Sequence, residues 1–292
     1  MDIRHLPNPQ QRLPARWQPY AAWLAAQDNP PLPGHAHPVT GEQEWADLQQ
    51  AFARHMGLPL AQYIRLKRTA FVLAQRHAAD AAYAAELAVA TMQTPLGPML
   101  AVFGDAGLCL LEFLECQALE REVLALQQTL RARFAWRETA ASRTLQHELD
   151  QYFAGKLQQF GTALHPVGTP FQQAVWRSLQ AIPYGETRSY KAQAEHLGQP
   201  RGVRAVAATN GQNKIAILIP CHRVIGSNGQ LVGYAGGLAR KQALLKLESA
   251  QTEMTLQAMP APAWKEPRCT SNCLPNGTAM PTRPAPRRWR RT

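Results

Sequence analysis

A thiol, an imidazole and a guanidinium follow one another in Pro220-Cys221-His222-Arg223-Val224. A cysteine attacks as thiolate, so it needs a proton acceptor or positive surroundings. His222 is a candidate acceptor and Arg223 adds charge. Adjacency alone is a poor guide, because neighbouring side chains in an extended segment point opposite ways. A third group comes from the helix predicted over about 237–248, where Leu238, Lys241, Leu244, Leu245 and Glu248 share one face at three- and four-residue spacings. Glu248 is therefore expected to face inward. A carboxylate there needs a partner, and an imidazole is a good candidate.

The elements that must position this group can be read outward from it. The run Ile215-Ala216-Ile217-Leu218-Ile219 suits a short buried strand that delivers Cys221 at its end. Upstream, Thr169-Pro170 supplies a cap and first-turn proline for a helix over 171–181, closed by the turn Pro183-Tyr184-Gly185-Glu186. A helix-turn-helix is predicted next, over about 189–197 and 201–210, with Gly198-Gln199-Pro200 between and Gly211 as stop. In its second helix Gly202, Ala205, Ala207 and Ala208 are small, while Arg201 and Arg204 share a face. Small side chains let a helix approach DNA closely, and an arginine there reaches phosphates or a groove; an ordinary packed helix has the same composition.

Nearer the N-terminus, strands over 87–92, 99–103 and 108–113 are separated by Pro95-Leu96-Gly97-Pro98 and Gly104-Asp105-Ala106-Gly107, as in a small antiparallel sheet. Helices at about 117–134 and 142–154 complete an α+β domain over 87–165, with Cys109 and Cys116 read as core residues. The acceptor domain spans 166–250. Residues 1–43, rich in proline, read as a loose arm. Residues 44–80 read as a helical hairpin, with Trp45, Leu48, Phe52 and Met56 on its first helix, a break at Gly57 and a restart at Pro59. Its second helix carries Arg65, Lys67, Arg68 and Arg76 among Tyr63, Leu66 and Phe71, a pattern shared by DNA-contacting and merely solvated hairpins.

The bulk composition agrees with a soluble, folded chain: 292 residues with 46% hydrophobic and 8% aromatic side chains. The formal charge is +11, and residues 251–292, with seven Lys/Arg against Glu253 and Glu266, hold +5 of it; this basic tail is expected to be disordered. The remainder still suits a polyanion such as nucleic acid. No stretch is long and apolar enough for a bilayer, and MDIRHLPNPQ lacks a signal-peptide core, so the expectation is a cytoplasmic protein with no membrane partner. Cysteines 109, 116, 221, 269 and 273 lack disulfide-framework spacing, and Cys269 and Cys273 have no histidine in the tail to complete a zinc site. Neither metal nor cofactor is expected.

Ile217-Leu218-Ile219-Pro220-Cys221-His222-Arg223-Val224-Ile225, Gly233-Tyr234-Ala235-Gly236-Gly237 and Arg240-Lys241-Gln242-Ala243-Leu244-Leu245 closely resemble the O6-alkylguanine-DNA alkyltransferases. The likeness runs from about Leu87 to Glu248, including Thr169-Pro170-Phe171-Gln172-Gln173-Ala174-Val175-Trp176, Ile182-Pro183-Tyr184-Gly185-Glu186-Thr187 and Ser189-Tyr190. It implies that Cys221 accepts the alkyl group and that His222, linked through a water to Glu248, takes its proton. It implies that Asn213 holds the helix-turn-helix against the active-site strand, that Tyr190 helps rotate the nucleotide and that Lys241 lies near the sulfur. Arg204 would enter the space left by the extruded base, with Arg201, Thr169 and Gln172 as further DNA contacts. Tyr234, Ala235, Gly236, Val224 and Pro220 would form the pocket. The implied partner is double-stranded DNA containing alkylated guanine, met by a monomer without cofactor; the implied reaction is one irreversible transfer per molecule, with O4-alkylthymine left open.

Residues 52–65 also resemble part of an AraC-type helix-turn-helix unit, as in an Ada-type fusion. The fusion members' cysteine-rich zinc module has no counterpart, since no cysteine precedes Cys109. Two rival readings stay open. A cysteine hydrolase would pair Cys221 with a distant histidine, His165 or His196; a damage sensor would change its DNA affinity when Cys221 is alkylated.

Overall fold

The computed structural model describes residues 6–27, 29–31, 41–74 and 85–249, which belong to one compact unit. Arg76, Cys269, Cys273 and the basic tail lie outside the described residues. The centre is a four-stranded sheet of order β3-β2-β1-β4, built from β1 (Ala85–Met92), β2 (Met99–Gly104), β3 (Gly107–Phe113) and β4 (Ala132–Trp136). The first three strands pair antiparallel, but β4 runs parallel to β1, with Leu87 opposite Phe134. The sheet is thus mixed, which corrects the all-antiparallel expectation. A strand was not expected at 132–136 because its burial is partial and Arg133 interrupts its apolar pattern.

Alternate residues of a strand face opposite ways, and here both faces are covered. Leu87, Val89, Leu100 and Val102 pack into one core with α5 (Leu119–Leu130) and the N-terminal helices. Ala88, Met92, Met99, Ala101 and Phe113 enter a second core with α6 (Ala140–Phe153), α7 (Pro170–Gln180) and the segment 215–219. The sheet joins the acceptor region to the N-terminal helices.

Those helices begin earlier than expected. Residues 9–26 form α1 (Pro9–Arg12), a 3-10 turn (Ala15–Trp17) and α2 (Gln18–Ala26), with Trp17, Tyr20 and Leu24 buried. The loose-arm expectation fails there because the prolines stand in the first turns of both helices, where a missing N–H leaves no bond unmade. The hairpin itself is present as α3 (Glu42–Met56) and α4 (Leu60–Ala74), with Gly57 at φ 75° closing α3 through its N–H to the Ala53 carbonyl.

Two of the hairpin's cations, Lys67 and Arg68, are turned inward. Lys67 Nζ donates to the Leu24 and Ala25 carbonyls at the end of α2, at 2.7 and 3.2 Å. Arg68 clasps Glu120 of α5 through Nε and NH2, at 2.7 and 2.8 Å, and donates from NH1 to the Pro30 carbonyl. These two groups tie the hairpin to its neighbours. The hairpin also shares its hydrophobic core with the sheet, so no boundary of packing separates it from the 87–165 region.

The remaining expected helices are α8 (Tyr190–His196), α9 (Val203–Asn210) and α10 (Leu238–Glu248). The apolar run 215–219 is buried but is not a strand. Only Ile215 bridges the sheet, at Leu111; turns follow, and Ile217 adopts φ 70°. The Asn213 side chain takes up the Ile215 N–H and the Ile219 carbonyl, which are then not free for ladder pairing.

Candidate active site

Cys221 begins a 3-10 turn, Cys221–Arg223, whose backbone is closed by Arg223 N–H to the Pro220 carbonyl at 3.0 Å. The turn runs into β6 (Val224–Ile225), which pairs parallel with β5 (Arg188–Ser189). Ser189 then caps α8 through its side chain. This short ladder fixes the start of the helix-turn-helix beside the cysteine.

Asn213 shapes the approach to the turn. Its Oδ1 accepts from Ile215 N–H at 3.0 Å, while Nδ2 donates to the Ile219 carbonyl at 2.8 Å and to Cys221 Sγ at 3.3 Å. One amide thus folds residues 213–219 into a loop and touches the sulfur, in place of the expected strand. Trp176 Nε1 on α7 donates to the Thr209 carbonyl near the end of α9, and the Gln193–Asn210 side-chain pair locks α8 to α9.

Cys221 is half-buried, and desolvation pushes its thiol up to about 11, against the hydrogen bond from Asn213. The thiol is therefore protonated near neutrality and needs a base to react. His222 is fully buried, and its Nε2 lies 2.9 Å from Glu248 Oε1. The water expected between His222 and Glu248 is replaced by this direct hydrogen bond. Burial lowers the His222 pKa against the pull of Glu248, which leaves a neutral imidazole. With Nε2–H directed at the carboxylate, Nδ1 is the basic nitrogen, and it has no protein partner.

Glu248 is held from three further directions. Arg223 donates from Nε to Oε2 at 2.7 Å and from NH2 to Oε1 at 3.0 Å, and Tyr152 of α6 donates its hydroxyl to Oε1 at 2.6 Å. Burial alone would raise this carboxyl; the bonds from His222, Arg223 and Tyr152 outweigh it and hold it down at about 2. Arg223 also donates to the Ile182 carbonyl at 2.6 Å, which ties the network to the end of α7. The inward-facing Glu248 gave the signal for one imidazole partner. Its bidentate arginine stood next to the histidine in sequence, while Tyr152 lies 96 positions away and gave no local signal.

Lys241 is also fully buried and lies near enough to Cys221 to sense its charge. Its three donors go to the carbonyls of Val224, Val232 and Gly233, at 2.6, 2.8 and 3.2 Å, and desolvation lowers it to about 8. It therefore anchors the loop that carries Tyr234, Ala235 and Gly236. Tyr190 donates its hydroxyl to the Val232 carbonyl at 3.1 Å, and burial raises its pKa, so it remains a proton donor. Tyr234 stands edge-on to His222, ring centroids 6.4 Å apart, with its buried hydroxyl unpartnered in the protein. At Gly236 a Cβ would come within 2.7 Å of Tyr234 and 3.0 Å of Phe113, so only glycine lets the loop close this tightly. Pro220 and Val224 are buried on either side of the turn.

Of the expected DNA contacts, Tyr190 lies beside Lys241, whose Nζ is 5.9 Å from its ring. Arg201 and Arg204 are exposed, one just before α9 and one within it. Thr169 and Gln172 form the capping box of α7, and Gln172 Nε2 also donates to Gln212 at 2.8 Å. The histidines considered for a hydrolase take other places. His165 Nδ1 lies 3.6 Å from Cys109 Sγ, and His196 is exposed in the last turn of α8. No group of three or more His, Cys, Asp or Glu suited to a metal ion occurs among the described residues. No described helix is long and apolar enough to cross a membrane.

The family model described as the DNA-binding domain of 6-O-methylguanine DNA methyltransferase matches residues 170–250. The methylated-DNA–protein-cysteine methyltransferase of Methanosarcina barkeri is 45% identical over 157 residues, 54% of this chain and 94% of the relative. The protein of the same name from Mycobacterium leprae is 44% identical over 169 residues, 57% of this chain and 96% of its own length. The crystal structure of Mycobacterium tuberculosis O6-methylguanine methyltransferase aligns with 57% of this chain and 94% of that one, at 41% identity and a TM-score of 0.49.

Proposed function

The chain belongs to the methylated-DNA–protein-cysteine methyltransferase family, and its activity is DNA repair by alkyl transfer to a cysteine; from that premise we propose Cys221 as the acceptor and O6-alkylguanine in duplex DNA as the substrate. The observation that carries this reading is a half-buried Cys221 followed directly by a buried His222 that is hydrogen-bonded to Glu248, which leaves the imidazole neutral and its other nitrogen basic.

The O6 substituent of a stacked guanine is beyond reach of a side chain, so the nucleotide must rotate out, at a cost of a few kcal/mol. Exposed Arg201 and Arg204 on the α9 face would offset that cost by contacting the backbone and the vacated stack. The base then enters beside Tyr234 and the 233–237 loop. His222 Nδ1 takes the thiol proton, and Glu248 stabilises the imidazolium through Nε2. The sulfur attacks the alkyl carbon in line: an S–C bond forms, the C–O6 bond breaks, and the electron pair leaves with guanine. Tyr190 donates a proton to the departing base. The thioether product does not ionise, so the transfer happens once per chain.

The test is to incubate excess O6-methylguanine duplex with the protein and follow restored guanine. Restoration should plateau at one equivalent and vanish in Cys221→Ala. Continued turnover would point instead to a hydrolase.

A further inference from the structure

Glu115, in the turn between β3 and α5, joins two distant parts of the molecule. Its Oε1 accepts from Gln62 Nε2 of α4 at 3.2 Å, and its Oε2 accepts from Arg240 NH2 of α10 at 2.6 Å. Gln62 is 7% exposed and Arg240 4%, while the Glu115 side chain is 21% exposed, so both bonds are partly shielded from solvent. A carboxylate oxygen bound to a guanidinium in such a place makes a short, directional contact.

Arg240 passes this contact to the pocket. Its NH1 donates to the Gly236 carbonyl at 3.1 Å, its Nε donates to the Leu96 carbonyl at 2.8 Å, and its guanidinium lies over the Phe113 ring at 4.2 Å. Phe113 is also the residue against which Gly236 packs. The next residue, Lys241, holds Val232 and Gly233. Two consecutive cations of α10 therefore grip the 232–236 loop at both ends, and Arg240 is linked through Glu115 to α4.

We propose that the N-terminal helical hairpin braces the substrate pocket, with Gln62 and Glu115 acting as positioning residues that hold Arg240 and, through it, the Tyr234–Gly236 loop. This assigns the hairpin a role in the transfer step in place of DNA contact, in keeping with the inward use of Lys67 and Arg68. It rests on the reading that the 233–237 loop receives the base. A pocket held too loosely slows reaction while leaving binding through the α9 face intact, because placement of the reacting atoms governs the chemical step.

The full chain should be compared with Gln62→Leu, Glu115→Gln and the double variant, using a duplex containing O6-methylguanine under single-turnover conditions. In Gln62→Leu the rate constant at saturating duplex should fall roughly tenfold, as expected for losing one hydrogen bond to a charged group, with duplex affinity unchanged. Amide hydrogen exchange over 232–240 should quicken in the same variant, which a role confined to the hairpin would not cause. The double variant should be no slower than Glu115→Gln alone, because both changes cut one relay. A melting curve reports whether each variant folds, and Glu115→Gln decides the matter if Gln62→Leu does not. Folded variants with wild-type exchange and rate, or with additive losses, would overturn the brace. If wild type itself transfers nothing, the activity reading fails, and exchange over 232–240 still judges the brace.

Discussion

Two helix pairs in this chain carry arginines at similar spacings, and they use them in opposite ways. In α3–α4 the cations Lys67 and Arg68 are spent on α2 carbonyls and on Glu120. Beside and within α9, Arg201 and Arg204 remain exposed, and the contacts that lock this unit come from Trp176, Gln193 and Asn210. A helix can leave its cations exposed when other groups hold it in place. Uncharged side chains hold α8 to α9, whereas Lys67 and Arg68 are engaged in the packing of the hairpin.

The same contrast separates two bidentate arginine–carboxylate pairs. Arg223–Glu248 lies inside the acceptor network with side chains 9% and 1% exposed, and Arg68–Glu120 sits at 20% and 19%. Glu248→Gln should have the largest effect. It leaves Arg223 buried without its counter-charge, which costs about 3–5 kcal/mol, and removes the group that stabilises the His222 imidazolium. Because the native carboxyl is held down at about 2, its stabilisation is present above the unfolded value near 4.5 and is lost as pH falls through about 2. The gap in denaturant stability between wild type and Glu248→Gln should therefore narrow as pH drops through that window. A gap independent of pH would mean that the carboxylate charge is not what the network stabilises.

Next in size, Arg204→Ala should weaken duplex binding by about 1–3 kcal/mol, measured by titration of a fluorescent duplex at fixed salt. Arg68→Ala should leave that affinity unchanged and lower stability by about 1 kcal/mol, read as a shift in the denaturant midpoint. Equal losses of affinity in the two variants would break the comparison and restore the hairpin as a DNA surface.

What the sequence made legible follows from these physical differences. Periodicity placed Glu248 on the inward face of α10, and an inward carboxylate demands a partner, so the His222 contact was foreseeable. Tyr152 was not, because no local pattern links α6 to a carboxylate 96 residues on. The apolar run 215–219 promised a strand, yet the Asn213 side chain and the positive φ of Ile217 turn it into a loop around the cysteine. Apolar composition reported burial and not shape. The proline-rich composition of residues 1–43 suggested a loose arm because the count of prolines was visible and the first-turn positions of Pro9 and Pro19 were not. The cations of α4 were equally visible; whether they were already engaged depended on Glu120 and the end of α2, some forty to fifty residues away.

The most direct test of the central claim is to react the protein with duplex carrying isotopically labelled O6-methylguanine, digest it and locate the label by peptide mass. A single methyl group on the peptide containing Cys221, with Cys109 and Cys116 unlabelled, is the predicted result. Label on another cysteine, or none on folded protein, would contradict the assignment of Cys221 as acceptor.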